Sequence, residues 1–173
     1  SDYEGTLWIT SGNARLRPSV QQGGIFQINP ETLSAKQVTP MMESNALVPV
    51  TGINSIFEDS EKNLWFGTLG QGLLKKHPNS SYFTQLFTEY FSKQNTILDI
   101  VQDMTGALWI ATQYSGVFKL DTGSMQLDNF NLSTPKKSNL NDNDITTLLI
   151  DSTGVLWLGT WTDGINKLDL DKF

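Results

Sequence analysis

The chain has 173 residues, enough for one domain with a real core or for a slice of a larger one. Its net charge is −6 and its twelve Lys and Arg are scattered, which excludes the basic footprint of a nucleic-acid binder and any attraction to anionic lipid. It has no cysteine, so disulfides, thiolate metal sites and thiol nucleophiles are excluded, and no apolar run approaches the roughly 20 residues that cross a bilayer.

Charged residues make up only 17%, while there are 14 Gly and 5 Trp, a balance that favours β-architecture with many tight turns. The first element in the chain is a turn and strand, Asp2-Tyr-Glu-Gly-Thr-Leu-Trp8-Ile. It returns as Asp59-Ser-Glu-Lys-Asn-Leu-Trp65-Phe, Asp103-Met-Thr-Gly-Ala-Leu-Trp109-Ile and Asp151-Ser-Thr-Gly-Val-Leu-Trp157-Leu. The Asp-to-Trp spacing is six in every copy, and the tryptophans lie 57, 44 and 48 residues apart, the size of one propeller blade.

Each copy reads as a run of short strands. An Ile-rich strand precedes three of the turns: Ile53-x-x-Ile56, Ile97-x-x-Ile100 and Ile145-x-x-Leu148. Asp-x-x-Gly is the turn, where Asp caps its own backbone and Gly accepts positive φ. The second copy has Lys62 in the glycine position, and Asn63 is expected to supply the left-handed residue there. Leu-Trp-apolar-small-Thr is the second strand, and its small residue, on the same face as Trp, is expected to leave room for a neighbouring sheet. Seven residues after Trp65, Trp109 and Trp157 a glycine opens the third strand, at Gly72, Gly116 and Gly164. In the first copy Gly24 comes nine residues late, because Ser11–Gln22 is inserted. Weaker fourth strands follow at 36–39, 82–87 and 127–130. The fold class is therefore all-β, built of four-stranded antiparallel blades. The repeats run 1–50, 51–94, 95–142 and 143–173, roughly fourteen strands or three and a half blades, and the chain is read as a piece of a larger propeller.

The string Leu-Trp-Ile/Leu-Gly-Thr-x-x-x-Gly-Leu/Ile-x-Lys-Leu-Asp, preceded by Ile-x-x-Ile/Leu-x-x-Asp-x-x-Gly, resembles the two-component regulator propeller repeat. Asn139-Leu-Asn-Asp-Asn-Asp144 is similar to the connector that joins such blades. The resemblance implies seven-bladed propellers in the periplasmic part of inner-membrane receptors. It further implies a dimeric, membrane-anchored parent with a histidine kinase or a diguanylate cyclase beyond the membrane, and often an oligosaccharide ligand. The remaining blades of the parent would then be the chain's first partners. Ala111 for the motif glycine and Lys76-His77 for Leu-Asp depart from the pattern without removing it.

Loops between second and third strands, together with the blade connectors, gather at one mouth of a propeller, where ligands bind. Here they carry Arg15, Arg17, Gln113, Tyr114, Trp161 and Asp163, a set able to stack on a sugar ring and hydrogen-bond its hydroxyls. The competing reading is loop decoration or packing against a neighbouring blade. Asn141-Asp142-Asn143-Asp144 lacks the Gly and distal Glu of a calcium loop and sits where Asx turns occur, so no metal is expected there. No cofactor is expected either. His77 is the only histidine and has no catalytic companions in sequence. The identical placement of Asp2, Asp59, Asp103 and Asp151 argues for a structural role and against paired glycosidase carboxylates. The Asp-box of sialidases has Asp and Trp one residue closer, and a sialidase draws arginines from several blades. The expected function is thus ligand sensing without catalysis, with a protein-contact scaffold as the alternative and a propeller glycosidase as the weaker one.

Overall fold

The computed structural model describes residues 2–10, 24–48, 52–91, 95–133 and 140–170. They form fourteen strands in four antiparallel sheets, with no α-helix among the described residues. The chain divides into two compact units, residues 1–93 and 94–173.

The first unit holds a sheet of β1 (Leu7–Thr10), β2 (Ile25–Ile28) and β3 (Ala35–Val38), and one of β4 (Ile53–Glu58), β5 (Leu64–Thr68), β6 (Leu73–Lys76) and β7 (Phe83–Leu86). The second unit holds β8 (Ile97–Gln102), β9 (Leu108–Thr112), β10 (Val117–Leu120) and β11 (Leu127–Phe130), then β12 (Ile145–Ile150), β13 (Val155–Thr160) and β14 (Ile165–Asp169). Strands within a sheet pair in sequence order, and outside the β1–β2 connection short turns between β-branched and aromatic runs dictate this.

Strand alternation gives every sheet two apolar faces, and each unit buries one face of its first sheet against its second. In the first unit Trp8, Ile25 and Val38 pack on Ile56, Leu64, Phe66, Leu74 and Phe83. The ring of Trp8 meets Phe66 edge-on at 5.9 Å. In the second unit Trp109, Ala111, Val117 and Phe130 pack on Leu148, Leu156, Leu158 and Leu168. The two interfaces are the same interface repeated: the tryptophan face of one sheet lies on the Leu-x-aromatic or Leu-x-Leu face of the next. Trp65 and Trp109 are fully buried. Trp157 is 37% exposed, on a face that also shows Leu149 and Ile165.

The four turns share one construction. The Asp carbonyl accepts the amide three residues on, at 2.9 to 3.0 Å, while Oδ1 accepts the amides two and four residues on. Gly5, Gly106 and Gly154 take positive φ. In the second copy it is Lys62, at φ 70°, that adopts the left-handed conformation, and Asn63 does not. The hydrogen-bond geometry of the turn demands that conformation at its fourth residue, whatever side chain stands there. Asn63 is instead buried, donating from Nδ2 to Oδ2 of Asp59 at 2.9 Å.

The small residue two places after the tryptophan lies against the next sheet at Ala111, as expected, and at Gly159 it also answers a demand inside its own sheet. The register of β4–β5, β8–β9 and β12–β13 shifts at Ile53/Ser55, Ile97/Asp99 and Ile145/Thr147. The residue after each shift faces the small one: Ser55 with Gly67, Asp99 with Ala111, Thr147 with Gly159. A Cβ at Gly159 would lie 2.7 Å from Cγ2 of Thr147. There the room is taken up inside the sheet, where an irregular first strand presses on the second.

Candidate functional site

The loops between second and third strands are built alike in three sheets. Thr68, Thr112 and Thr160 end their strands and donate from Oγ1 to the carbonyls of Gly72, Gly116 and Gly164. The same hydroxyls accept the amides of Gln71, Ser115 and Asp163. The fourth strand adds a further hold where it is present: Gln85 Nε2 donates to the Gln71 carbonyl and Asn129 Nδ2 to the Ser115 carbonyl, both at 2.8 Å. A loop fixed by its own strand ends is a rigid mount for whatever side chain it carries.

In the second unit two such loops are fastened to one connector. Gln113 and Asp144 form an isolated β-bridge, and the Gly116 amide donates to the Asn143 carbonyl at 2.8 Å. From the other sheet, the Trp161 amide donates to the Asp144 carbonyl at 3.0 Å. The connector is locked in turn: Asp142 Oδ1 accepts the Asp144 amide and its Oδ2 accepts the Thr162 hydroxyl. Those bonds hold the Asp142 carboxyl below its ordinary range, with the Asp144 amide the leading cause. Asn141 donates to the Asp163 carbonyl and exchanges hydrogen bonds with the buried Asn166.

This arrangement brings Gln113, Tyr114, Trp161 and Asp163 onto two neighbouring loops with Asp144 between them. Tyr114 is 60% exposed and Trp161 62%. The Tyr114 phenol oxygen accepts from Gln113 Nε2 at 2.9 Å. Two exposed rings on fastened loops, rimmed by Asp and Asn side chains, can offer apolar faces and hydrogen-bond acceptors to one ligand. Arg15 and Arg17, with the whole insertion Ser11–Gln22, lie outside the described residues. His77 stands exposed just past β6.

The repeated aspartates are engaged otherwise. Oδ2 of Asp2, Asp59, Asp103 and Asp151 accepts the indole N–H of Trp8, Trp65, Trp109 and Trp157 at 2.7 to 2.8 Å. Sequence reasoning left that bond unstated, although the constant spacing of six carried its signal. It also passed over Asp99, whose Oδ2 accepts the Leu148 amide at 2.8 Å and the Thr147 hydroxyl at 3.1 Å, tying the two sheets of the second unit. A lone carboxylate inside an apolar first strand was the available clue.

Residues 48–70 and 139–162 match the family model of the two component regulator propeller. These segments are propeller repeats of that family. Each match runs from a connector through the first strand, the Asp turn and the tryptophan strand, a stretch that recurs whole in the third copy and from the Asp turn onward in the first. No curated protein matches the chain. Among solved structures, the chain is similar to PorZ, a surface component of the type-IX secretion system of Porphyromonas gingivalis, with a TM-score of 0.74 and 18% identity over 94% of this chain and 24% of that one. It is similar to the extracellular domain of a proposed hybrid two component system from B. thetaiotaomicron, with a TM-score of 0.71 and 21% identity over 95% and 20% of the two chains. A second such domain from the same organism gives 0.65 and 24% over 95% and 19%. The chain thus spans about a fifth to a quarter of the length of these structures. At such identities the likeness shows the fold, and it is the fold of propeller blades.

Proposed function

We propose that this chain is part of the extracytoplasmic sensing region of a bacterial two-component receptor and recognises a carbohydrate or similar small molecule without catalysing its conversion. The observation that carries this reading is the patch of the second unit, where Tyr114 and Trp161 stand exposed on loops fastened to Asp144. The propeller repeats support the receptor class, and similar solved domains are extracellular parts of two component systems. The turn aspartates support the absence of catalysis, since each already accepts an indole N–H and turn amides. In this reading ligand binding shifts the population of receptor states, by as much as its affinity differs between them. The parent receptor is dimeric and membrane-anchored, with a kinase or a cyclase as its output.

A thermal-shift screen of the chain against neutral and acidic oligosaccharides tests the reading. A ligand present at a hundred times its Kd stabilises by about 2.7 kcal/mol, easily seen as a rise in Tm. Absence of a shift with every sugar would favour the second reading, a propeller used for protein contact, to which the likeness to a secretion-system component lends weight.

A further inference from the structure

The middle residue of the second-to-third-strand loop differs in three sheets. In the first unit it is Gly70, at φ 71°. In the last sheet it is Thr162, whose φ is not positive. Between them in sequence stands Tyr114, at φ 149°, in a region that side chains with a Cβ rarely adopt. Such a conformation is costly for tyrosine and free for glycine. Burial does not repay it, because most of the ring faces solvent. Its hydroxyl bond is to the side chain of its own sequence neighbour, the half-buried Gln113, and lies at the surface, where it adds little to stability.

We infer that Tyr114 is a ligand-contacting residue, held for its aromatic ring against a backbone that prefers glycine, and that with Trp161 it offers a stacking face to a pyranose ring. The inference rests on the carbohydrate reading above and adds the contact residues and the form of contact. One face of a pyranose is a row of C–H groups, which an electron-rich ring attracts, while its equatorial hydroxyls reach the surrounding acceptors. The loops of Tyr114 and Trp161 are both bonded to Asp144, which sets the two residues on neighbouring loops. Asp163 and Asp142 stand on the same loops and connector to take the hydroxyl protons in hydrogen bonds.

The test uses the full chain and its Tyr114→Gly, Tyr114→Phe and Trp161→Ala variants, with cellohexaose, xylohexaose and mannohexaose as probes. Tm is read without sugar and Kd by calorimetry. Tyr114→Gly is expected to raise Tm by about 2 °C, from relieved backbone strain, and to weaken the best probe about tenfold. Trp161→Ala is expected to weaken it as much, and Tyr114→Phe to hold Kd within about threefold of the native value. A native chain that binds a probe, with Tyr114→Gly binding equally well, overturns the inference and leaves the carbohydrate reading standing. A fall in Tm for Tyr114→Gly also overturns it, because the tyrosine would then be structural. A native chain that binds none of the probes overturns the inference, and one that also shows no shift with any neutral or acidic oligosaccharide of the screen overturns the carbohydrate reading with it.

Discussion

Each turn aspartate serves two unlike tasks with its two oxygens. Oδ1 gathers turn amides, and Oδ2 fixes the tilt of the indole ring that will face another sheet. At Asp59 both oxygens are buried, so Asp59→Ala strands the Trp65 N–H and the turn amides and is expected to cost about 3 kcal/mol in urea denaturation. Asp151 makes the same bonds at a more exposed site, and the Thr153 hydroxyl and Trp157 indole hold its carboxyl well below 3.8. Asp121 and Asp142 are lowered too, chiefly by backbone amides of Ser124 and Asp144. A depressed folded-state pKa means that the unfolded chain takes up protons first, so this stability is complete above about pH 5 and fades as pH falls through 4 toward 2. Urea midpoints should be level from pH 6 to 5 and drop below pH 4. The Lys of the repeat has its own account: Lys75, Lys119 and Lys167 pair in register with Trp65, Trp109 and Trp157 and lie 4.8, 5.4 and 5.5 Å from their rings. In the first copy Gln27 takes that place, and Lys76 of the next sheet lies 6.0 Å over Trp8. The departure Lys76-His77 was plain in the sequence, but the ring it meets is 68 residues away and was not. Lys62 is the opposite case, an ill-suited residue in a glycine position, with an exposed 3.5 Å ion pair to Glu58 that is worth little. Lys62→Gly is therefore expected to stabilise by about 0.5 kcal/mol, read as a higher urea midpoint.

At the scale of the element, the third-strand glycines separate two demands that sequence merges. Gly72, Gly116 and Gly164 all have φ near 80° and look equivalent in the repeat. A Cβ at Gly116 would lie 2.2 Å from the Phe130 carbonyl, and one at Gly72 2.5 Å from that of Leu86. At Gly164 nothing lies within 4 Å, for no fourth strand flanks β14 among the described residues. Gly164→Ala is therefore expected to cost only the left-handed penalty, about 1 kcal/mol, and Gly116→Ala about 3 kcal/mol or more, in thermal or urea unfolding. The strands themselves were readable, including the weak fourth ones, because alternation of apolar residues between turn signals is a local property. The shifts of register were not: a bulge depends on which residue of a partner strand is opposite, and that is set by pairing.

For the molecule as a whole, stability resides in sheet-on-sheet interfaces, one inside each compact unit. Trp109 is the largest side chain in that of the second unit and is fully buried. Trp109→Ala should cost about 4 kcal/mol and speed amide hydrogen exchange in β8–β14, where its cavity opens. Asp99→Ala should loosen the same interface at its β8–β12 side, since the Leu148 amide and Thr147 hydroxyl lose their acceptor.

The blade motif, the turns and the strand order follow from residues close together in the chain, because a period-two pattern and an Asp-x-x-Gly turn need only their neighbours to form. Which indole meets which lysine, why glycine faces the bulge at Thr147, and that Gln113 and Trp161 share Asp144 depend on partners tens of residues distant. Those were decided when the sheets packed, for only packing selects among the many partners that one local pattern allows.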